Sequence, residues 1–345
     1  MLRIATFNCE NLFSRPRLFT GPDGDALIQS AQALEAELKK EAFDHVRIDA
    51  LKTLLDGVVD VIDVRGKHVT ATGAGAWLGW VEFKRSRISD ASIRNTARVI
   101  ADADADVVCL CEVESRPVLC EFHDAVLKPG FLVPGNKQPY PYALLIDGND
   151  ARGIDVALLS RLPVIGIATH LFDKPPRSRF PIFSRDCFEA TLDAGVGGPL
   201  HVLLNHFKSR GYSGASDPAG KKKRTAQAVR VAEILARFDL SRERVVVAGD
   251  LNDGPSSASL APLLALPNLH NVVDTLPERE RGTFGTRREQ IDYLLVSTPL
   301  RERLTEVRLE RRGIWAKPPH MPYDTVVGPS SAASDHAAVV ATFDA

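Results

Sequence analysis

The sequence predicts a mixed α/β protein with many strands. Three observations carry this reading. Short apolar runs, rich in Val, Leu and Ile and closed by turn residues or charges, recur along the chain. Segments with apolar residues at helical spacing lie between them. Several of the runs also end on, or are preceded by, a carboxylate, an amide or a histidine.

The predicted strands cover 2–7, 107–111, 156–159, 188–192, 200–204, 245–248, 293–296 and 337–343. The predicted helices cover 31–55, 93–101 and 225–238, the last reading "TAQAVRVAEILARF". Residues 14–90 are less regular. Their "GKHVTATGAGAWLGWVEFK" has glycines without a Walker lysine after them, so it is not a phosphate loop. The stretch reads as a hairpin within an insertion. "KSRGYSGASDPAGKKKR", 208–224, is a polar, basic loop, and 315–334 is a second long one.

The chain has 345 residues, of which 44% are hydrophobic, enough for a large core. Length alone allows one domain or two. A formal net charge of −1 gives no global basic field of the kind that announces a nucleic-acid binder. The cysteines are Cys9, Cys109, Cys111, Cys120 and Cys187, with no Cys-x-x-Cys pair and no zinc spacing. Their odd count and scatter suit free thiols in a reducing compartment. Polar residues interrupt "MLRIATFNCENLF" too early for a signal peptide, and no apolar run is long enough to span a bilayer. The expectation is a cytoplasmic protein without a transmembrane segment, with a mature exported form as the alternative.

The strand-end polar residues form a pattern. "RIATFNCENLF" delivers Asn8 and Glu10, "DVVCLCEVES" delivers Glu112, and "HVLLNHFKSR" delivers Asn205 and His206. "RVVVAGDLND" delivers Asp250 and Asn252. Asp292 opens "IDYLLVS", and Asp335 and His336 open "SDHAAVVATF". In a mixed sheet the end of one strand lies beside the start of its antiparallel neighbour, so these groups can meet at one edge. Crowded carboxylates repel and raise one another's pKa unless a cation intervenes. Carboxylate and amide oxygens suit Mg²⁺ or Mn²⁺. Histidines beside carboxylates add acid–base capacity and oxyanion stabilisation. Phosphoester hydrolysis uses this combination.

The ordered set Asn8, Glu10, Glu112, His206, "GDLN" at 249–252, "IDY" at 291–293 and "SDH" at 334–336 resembles the endonuclease/exonuclease/phosphatase superfamily, the DNase I-like proteins. "RGIDVALLSRLPV" at 152–164 and "GTFG" before "IDY" agree with it, and "FNCENLF" with "NHFKSR" looks most like a bacterial nuclease-like subgroup. The resemblance spans residues 3–343. It implies a single domain over 1–345 with an insertion at about 14–90. The implied fold is a four-layered α/β sandwich, two packed mixed or antiparallel sheets flanked by helices. It implies Glu112 as principal metal ligand, with Glu10 and Asp335 near the ion and Asn8 hydrogen-bonding around it. Asp250 would orient or deprotonate the attacking water, and Asn252 would position the phosphate. Asp292 would orient His336, the donor to the phosphoryl oxygen, and His206 would contact the phosphate or assist the leaving group. Arg152, Lys208 and Arg210 are the expected substrate contacts. The expected partner is a phosphoester, nucleic acid foremost, bound by a monomer. A phosphatase or lipid or sugar phosphodiesterase of the same fold is the first alternative, and a non-catalytic binding module the second.

Cys111 departs from the glutamine that often precedes the metal-ligand glutamate in this family. The inositol 5-phosphatase signatures are absent. Taken singly, each motif is an ordinary turn or cap sequence. Jointly, in this order beside strands, they are specific. "KKKR" at 221–224 reads either as a polyanion guide or as a solvated basic loop. Trp77, Trp80 and Trp315 read as base-stacking groups or, more commonly, as core and loop anchors.

Overall fold

Ile4, Val107, Val156, Val202, Val246 and Val339 meet in one apolar layer between two six-stranded sheets. The structure, a computed structural model, describes every residue except 13, 17–23, 151, 212–216, 286–288, 317–319 and 345. The chain divides into two units, residues 13–88 and the remainder, 1–12 with 89–345.

After β1 (Leu2–Leu12), the smaller unit holds β2 (Ser14–Pro16), α1 (Gly24–Leu38), α2 (His45–Leu54), β3 (Val59–Asp63), β4 (Gly79–Phe83) and β5 (Arg85–Arg87). The larger unit continues with α3 (Asp90–Ala103), β6 (Val107–Val113), α4 (Arg116–Phe122), β7 (Tyr142–Leu145), β8 (Asp155–Ser160), β9 (Val164–Ala168), β10 (Cys187–Leu192) and β11 (Leu200–His206). It ends with α5 (Lys221–Leu235), β12 (Arg244–Asp250), α6 (Ala261–Leu264), β13 (Leu269–Asn271), β14 (Asp292–Ser297), α7 (Thr298–Arg301), β15 (Leu304–Glu310) and β16 (Ala338–Phe343).

One sheet has the order β15-β16-β1-β6-β8-β7, the other β13-β14-β12-β11-β10-β9. Only β1/β6 and β11/β12 among these pairs run parallel. The packed sheets with flanking helices are the sandwich that the sequence predicts. Side chains along the central strands alternate between two covered faces. In β12, Val246 and Ala248 enter the layer between the sheets. Val245 and Val247 face the other way, onto Ala228, Val231, Ile234 and Leu235 of α5. A strand covered on both faces reads as a continuous apolar run, which is why "RVVVAG" carries no polar phase.

The smaller unit has its own core of Ala31, Leu34, Leu38, Ile48, Trp77 and Val81. Its β3 and β4 pair antiparallel, but only β4 lies in the stretch 66–84 expected to form a hairpin; its partner strand precedes that stretch. The single helix predicted over 31–55 is two, α1 and α2. Asp44 starts the second, its side chain accepting the Arg47 backbone N–H at 3.0 Å, and Phe43 N–H turns away to Thr72 O. "KKKR" is not a loop. It is the first turn of α5, and Arg224 is fully buried.

Candidate active site

Four inner stripes change from apolar to polar at the same end of the sandwich. Asn8 follows Ile4 and Thr6 in phase, His206 follows Val202 and Leu204, and Asp250 follows Val246 and Ala248. Asp292 precedes Leu294 and Val296. Strand register sets His206 beside Asp250, and Asp250 beside Asp292. Gly249 makes the first pairing possible. Its φ is +130°, and a Cβ there would lie 1.8 Å from the Asn205 carbonyl oxygen.

Three non-glycine residues here adopt left-handed backbone: Glu10 (φ 49°), Glu112 (φ 63°) and Asn252 (φ 56°). The strand register shifts across the first two, between Asn8 and Leu12 and between Cys111 and Val113. Such residues cost on the order of 1–3 kcal/mol each and gather where a site demands a set side-chain direction.

Asn8 ties the two sheets together. Its Nδ2 donates to Asp250 Oδ2 at 3.1 Å and reaches Glu112 Oε1 at 3.4 Å, while its Oδ1 accepts the Glu10 backbone N–H at 3.0 Å. Asp250 Oδ1 accepts the Asn252 backbone N–H at 2.8 Å. Asn252 Nδ2 donates to Asp250 Oδ2 and to the Phe207 carbonyl, both at 3.1 Å. His206 Nε2 stands 3.6 Å from Asp250 Oδ2 and 3.9 Å from Glu112 Oε1, beyond direct hydrogen bonding. Burial and the charge of nearby Asp292 push Asp250 up to about 7. Burial, then the charges of Arg185 and Arg152, hold His206 well below its ordinary value, so it is neutral at pH 7.

A second pair faces this group. His336 Nδ1 bonds Asp292 Oδ2 at 2.9 Å, and its Nε2 is 3.6 Å from Asp335 Oδ1. Burial opposes the imidazolium, but Asp292, Asp250 and Asp335 together raise His336 well above its ordinary value. Ser334 Oγ donates to the Asn8 carbonyl at 2.7 Å and accepts the His336 N–H at 2.9 Å, linking the two halves. Thr283 Oγ1 accepts the N–H groups of Ile291 and Asp292. The Phe284 ring lies 4.9 Å from the His336 ring.

The cations on the flank are largely engaged. Arg152 makes a two-pronged contact with Asp150, Nε at 2.8 Å and Nη2 at 2.6 Å. Arg185, buried, stands 3.2 Å from the same carboxylate and donates from Nη1 to the Phe207 carbonyl. Although burial alone would raise Asp150, Arg185 and Arg152 hold it below the usual carboxylate range. Arg210 pairs with Asp253 and Glu289, with its Nε on the Asn252 carbonyl at 3.3 Å. Arg224 pairs with Asp253. Burial, then Arg152 and Arg185, lower Lys208 to about 8.

The structure thus brings together Asn8, Glu112, His206, Asp250, Asn252, Asp292, Asp335 and His336. Glu10 is placed beside Asn8 through its backbone. Arg152, Lys208 and Arg210 lie on the flank. Sequence reasoning missed Asp150 and Arg185, an ion pair with a buried arginine whose charges act on His206. "SRD" at 184–186 precedes a strand as the other motifs do, and that was the available signal. Cys111, where the family often has glutamine, places Sγ 3.5 Å from the Asn205 carbonyl.

The donor set fits a hard divalent cation. Glu112 and Asp250 share one amide, and the buried Oδ1 of Asp292 has no hydrogen-bond partner among the described residues. Ligand atoms of Asp250, Asp292 and His336 also lie within 4.8 Å of one another. In that trio the His336 Nδ1 is already engaged by Asp292, so it reads as an acid–base pair rather than a cage.

Over residues 81–336 the chain matches the model of the Endonuclease/Exonuclease/phosphatase family, and it belongs to that family. Its members are generally phosphoester hydrolases that depend on a divalent metal. No match is found among curated proteins. Solved structures share the fold at low identity. An endonuclease/exonuclease/phosphatase family protein from Bacteroides thetaiotaomicron is 14% identical, with TM-score 0.53, covering 100% of this chain and 98% of that one. A mannosyl-6-phosphatase from the same organism is 14% identical, with TM-score 0.51 and 100% of both chains covered. An endonuclease/exonuclease/phosphatase from Bacteroides vulgatus is 15% identical, with TM-score 0.50, covering 74% of this chain and 91% of that one. No helix among the described residues is long and apolar enough to cross a membrane.

Proposed function

We propose that the chain is a divalent-metal-dependent phosphodiesterase of the nuclease type, acting as a single catalytic domain over 1–345 that carries an insertion near 14–90. The observation that carries the reading is the shared amide of Asn8, which ties Glu112 and Asp250 into one oxygen-rich cluster facing the Asp292–His336 pair. Glu112 is the principal ligand to Mg²⁺ or Mn²⁺, with Glu10 and Asp335 close by and Asn8 holding the carboxylates in place. The metal supplies a Lewis acid for a phosphoryl oxygen and relief of carboxylate repulsion.

The chain's own residues do the rest. Asp250, with a pKa lifted toward neutrality, accepts the proton of the attacking water. Asn252 gives both amide hydrogens to Asp250 and the Phe207 carbonyl, and positions the phosphate through the carboxylate it fixes. His336, kept protonated by Asp292, donates to the phosphoryl oxygen as charge builds. Neutral His206 donates to the phosphate or to the leaving oxygen without adding a charge to a site already flanked by Arg185 and Arg152.

A specific observation favours a second reading, a phosphatase for a small phosphomonoester. Arg152 and Arg210, two of the three expected substrate contacts, and Arg224 of the basic run 221–224 are paired with Asp150, Asp253 and Glu289.

Hydrolysis of plasmid DNA, RNA, bis-p-nitrophenyl phosphate and p-nitrophenyl phosphate in Mg²⁺, Mn²⁺ and EDTA decides between them. Cleavage of nucleic acid with metal, lost in Asp250→Ala and His336→Ala, supports the first reading, and a salt-steep binding constant marks a polyanion substrate. Turnover of the monoester alone moves the protein to the second. Retained turnover in EDTA would sink the metal-dependent reading.

A further inference from the structure

Residues 169–186 join β9 to β10 at the catalytic end of their sheet, because Cys187 opens β10 opposite Asn205, the neighbour of His206. The connection is tied down at several points. Asn149 Nδ2 donates to the carbonyls of Leu171 and Phe183 at 2.9 and 3.1 Å, so both stems are pinned by the residue next to Asp150 of the Asp150–Arg185 pair. The Ile182 N–H reaches the Asp173 carbonyl at 2.8 Å, and the Ser178 N–H the Pro175 carbonyl at 3.0 Å. Lys223, in the first turn of α5, donates to the Pro181 carbonyl.

Between these ties, "LFDKPPRSRF" at 171–180 exposes groups that a bare surface usually covers or pairs. Phe172 is 79% exposed and Phe180 67%. Lys174, Arg177 and Arg179 are exposed, and none makes an ion pair among the described residues, in contrast to the arginines of the flank. Arg179 stands over the Phe180 ring, 5.4 Å from its centroid. The one carboxylate of the stretch, Asp173, is already engaged by His170 and Arg230.

A single strand of nucleic acid alternates a charged phosphate with a flat base. Exposed rings interleaved with unpaired cations match both parts. A duplex keeps its base faces in the stack and could use only the cations. A loop held in one shape also loses little freedom on binding.

We propose that this loop is a docking surface for single-stranded nucleic acid, with bases stacked on Phe172 and Phe180 and phosphates held by Lys174, Arg177 and Arg179. It lies where it can deliver the strand to the catalytic end. The inference rests on the nuclease reading and narrows its substrate to single-stranded nucleic acid.

The test is fluorescence anisotropy of the full chain with a labelled oligo-dT and with a duplex of equal length, in EDTA so that nothing is cleaved. Wild type binds the single strand roughly tenfold more tightly than the duplex, and Phe172→Ala and Phe180→Ala each weaken single-strand binding roughly tenfold. Arg177→Gln and Arg179→Gln each flatten its dependence on log salt by about 0.7. All four variants keep the wild-type unfolding midpoint and turn over bis-p-nitrophenyl phosphate in Mg²⁺ as wild type does. Absence of single-strand binding, or ring variants that bind the strand as wild type does, would overturn the proposal. So would a duplex bound as tightly as the single strand. Flotation with phosphatidylglycerol vesicles covers the other partner such a surface could take: vesicle binding lost in the ring variants, with no binding of oligo-dT, would assign the loop to an anionic lipid surface instead. Strand binding that depends on the rings, without metal-dependent cleavage of any nucleic acid, would keep the docking surface and remove the nuclease reading.

Discussion

His336 Nδ1 lies 2.9 Å from Asp292 Oδ2, and both side chains are buried. A buried imidazolium so placed has one orientation, with the Nε2 proton left to face the reaction. His336→Ala should lower kcat about 10²–10⁴-fold on any substrate the protein turns over. Asp292→Asn should fall in the same range, because its amide cannot sustain an imidazolium. The double variant should be scarcely worse than either single one, since the two act as a unit. Additive losses in steady-state kinetics would show instead that they act separately.

Gly249 is fixed by two independent constraints, its positive φ and the Asn205 carbonyl 1.8 Å from any added Cβ. Gly249→Ala should therefore destabilise the fold by about 3 kcal/mol or more, read as a drop in the denaturation midpoint. The two parallel strands must separate to admit the methyl, which moves His206 away from Asp250. Activity should fall even at temperatures where the variant stays folded.

Away from the site, His170 bridges two carboxylates, Nδ1 to Asp173 at 3.0 Å and Nε2 to Glu189 at 3.4 Å. The bond to Glu189 leads in raising its pKa above 6.5, against the cost of burial, and Asp173 adds to it. Folding thus favours the protonated form. Its contribution is complete below pH 6.5 and is lost as pH rises through the raised value. Arg230 also holds Asp173, and Arg237 also holds Glu189, so those carboxylates keep partners when His170 deprotonates. The stability gap between wild type and His170→Gln, from unfolding midpoints across pH 5–9, should shrink on the alkaline side. A gap that grows with pH would contradict the assignment.

Lys208, lowered to about 8 by burial and by Arg152 and Arg185, loses its charge near the upper end of an ordinary assay range. If it touches substrate phosphate, KM should climb above about pH 8 while kcat holds. Lys208→Met should show a KM roughly tenfold higher at pH 7 and no climb. An unaltered pH profile in that variant would assign the lysine a packing role.

Much of the site was legible because its residues continue an apolar phase. Asn8, His206 and Asp250 each extend a run of inward-facing side chains, and a polar residue in that phase has no place in a core unless others meet it there. The strands behind them were readable for the same reason: buried on both faces, they are uniformly apolar. The edge strand β15 was not, since Thr305, Glu306 and Arg308 leave it only half covered. The break between α1 and α2 was signalled only by Asp44, a cap that is easily read as a surface charge inside a longer helix. Arg224 was misjudged because four basic letters in a row look solvated, whereas Asp253, far along the chain, draws one of them inside. The same distance in sequence concealed the Asp150–Arg185 pair.

Glu10, Glu112 and Asn252 have a consequence for how this protein can change. Glycine would accept all three backbone conformations without strain, so replacing any of them relaxes the native state while loosening the unfolded chain, and the two effects oppose each other. A selection for heat resistance alone would drift toward whichever residue sits most comfortably at these positions, with no regard for the oxygen atoms they carry. Directed evolution toward thermostability should therefore lose turnover first at these three sites, and libraries built for that purpose should hold them fixed.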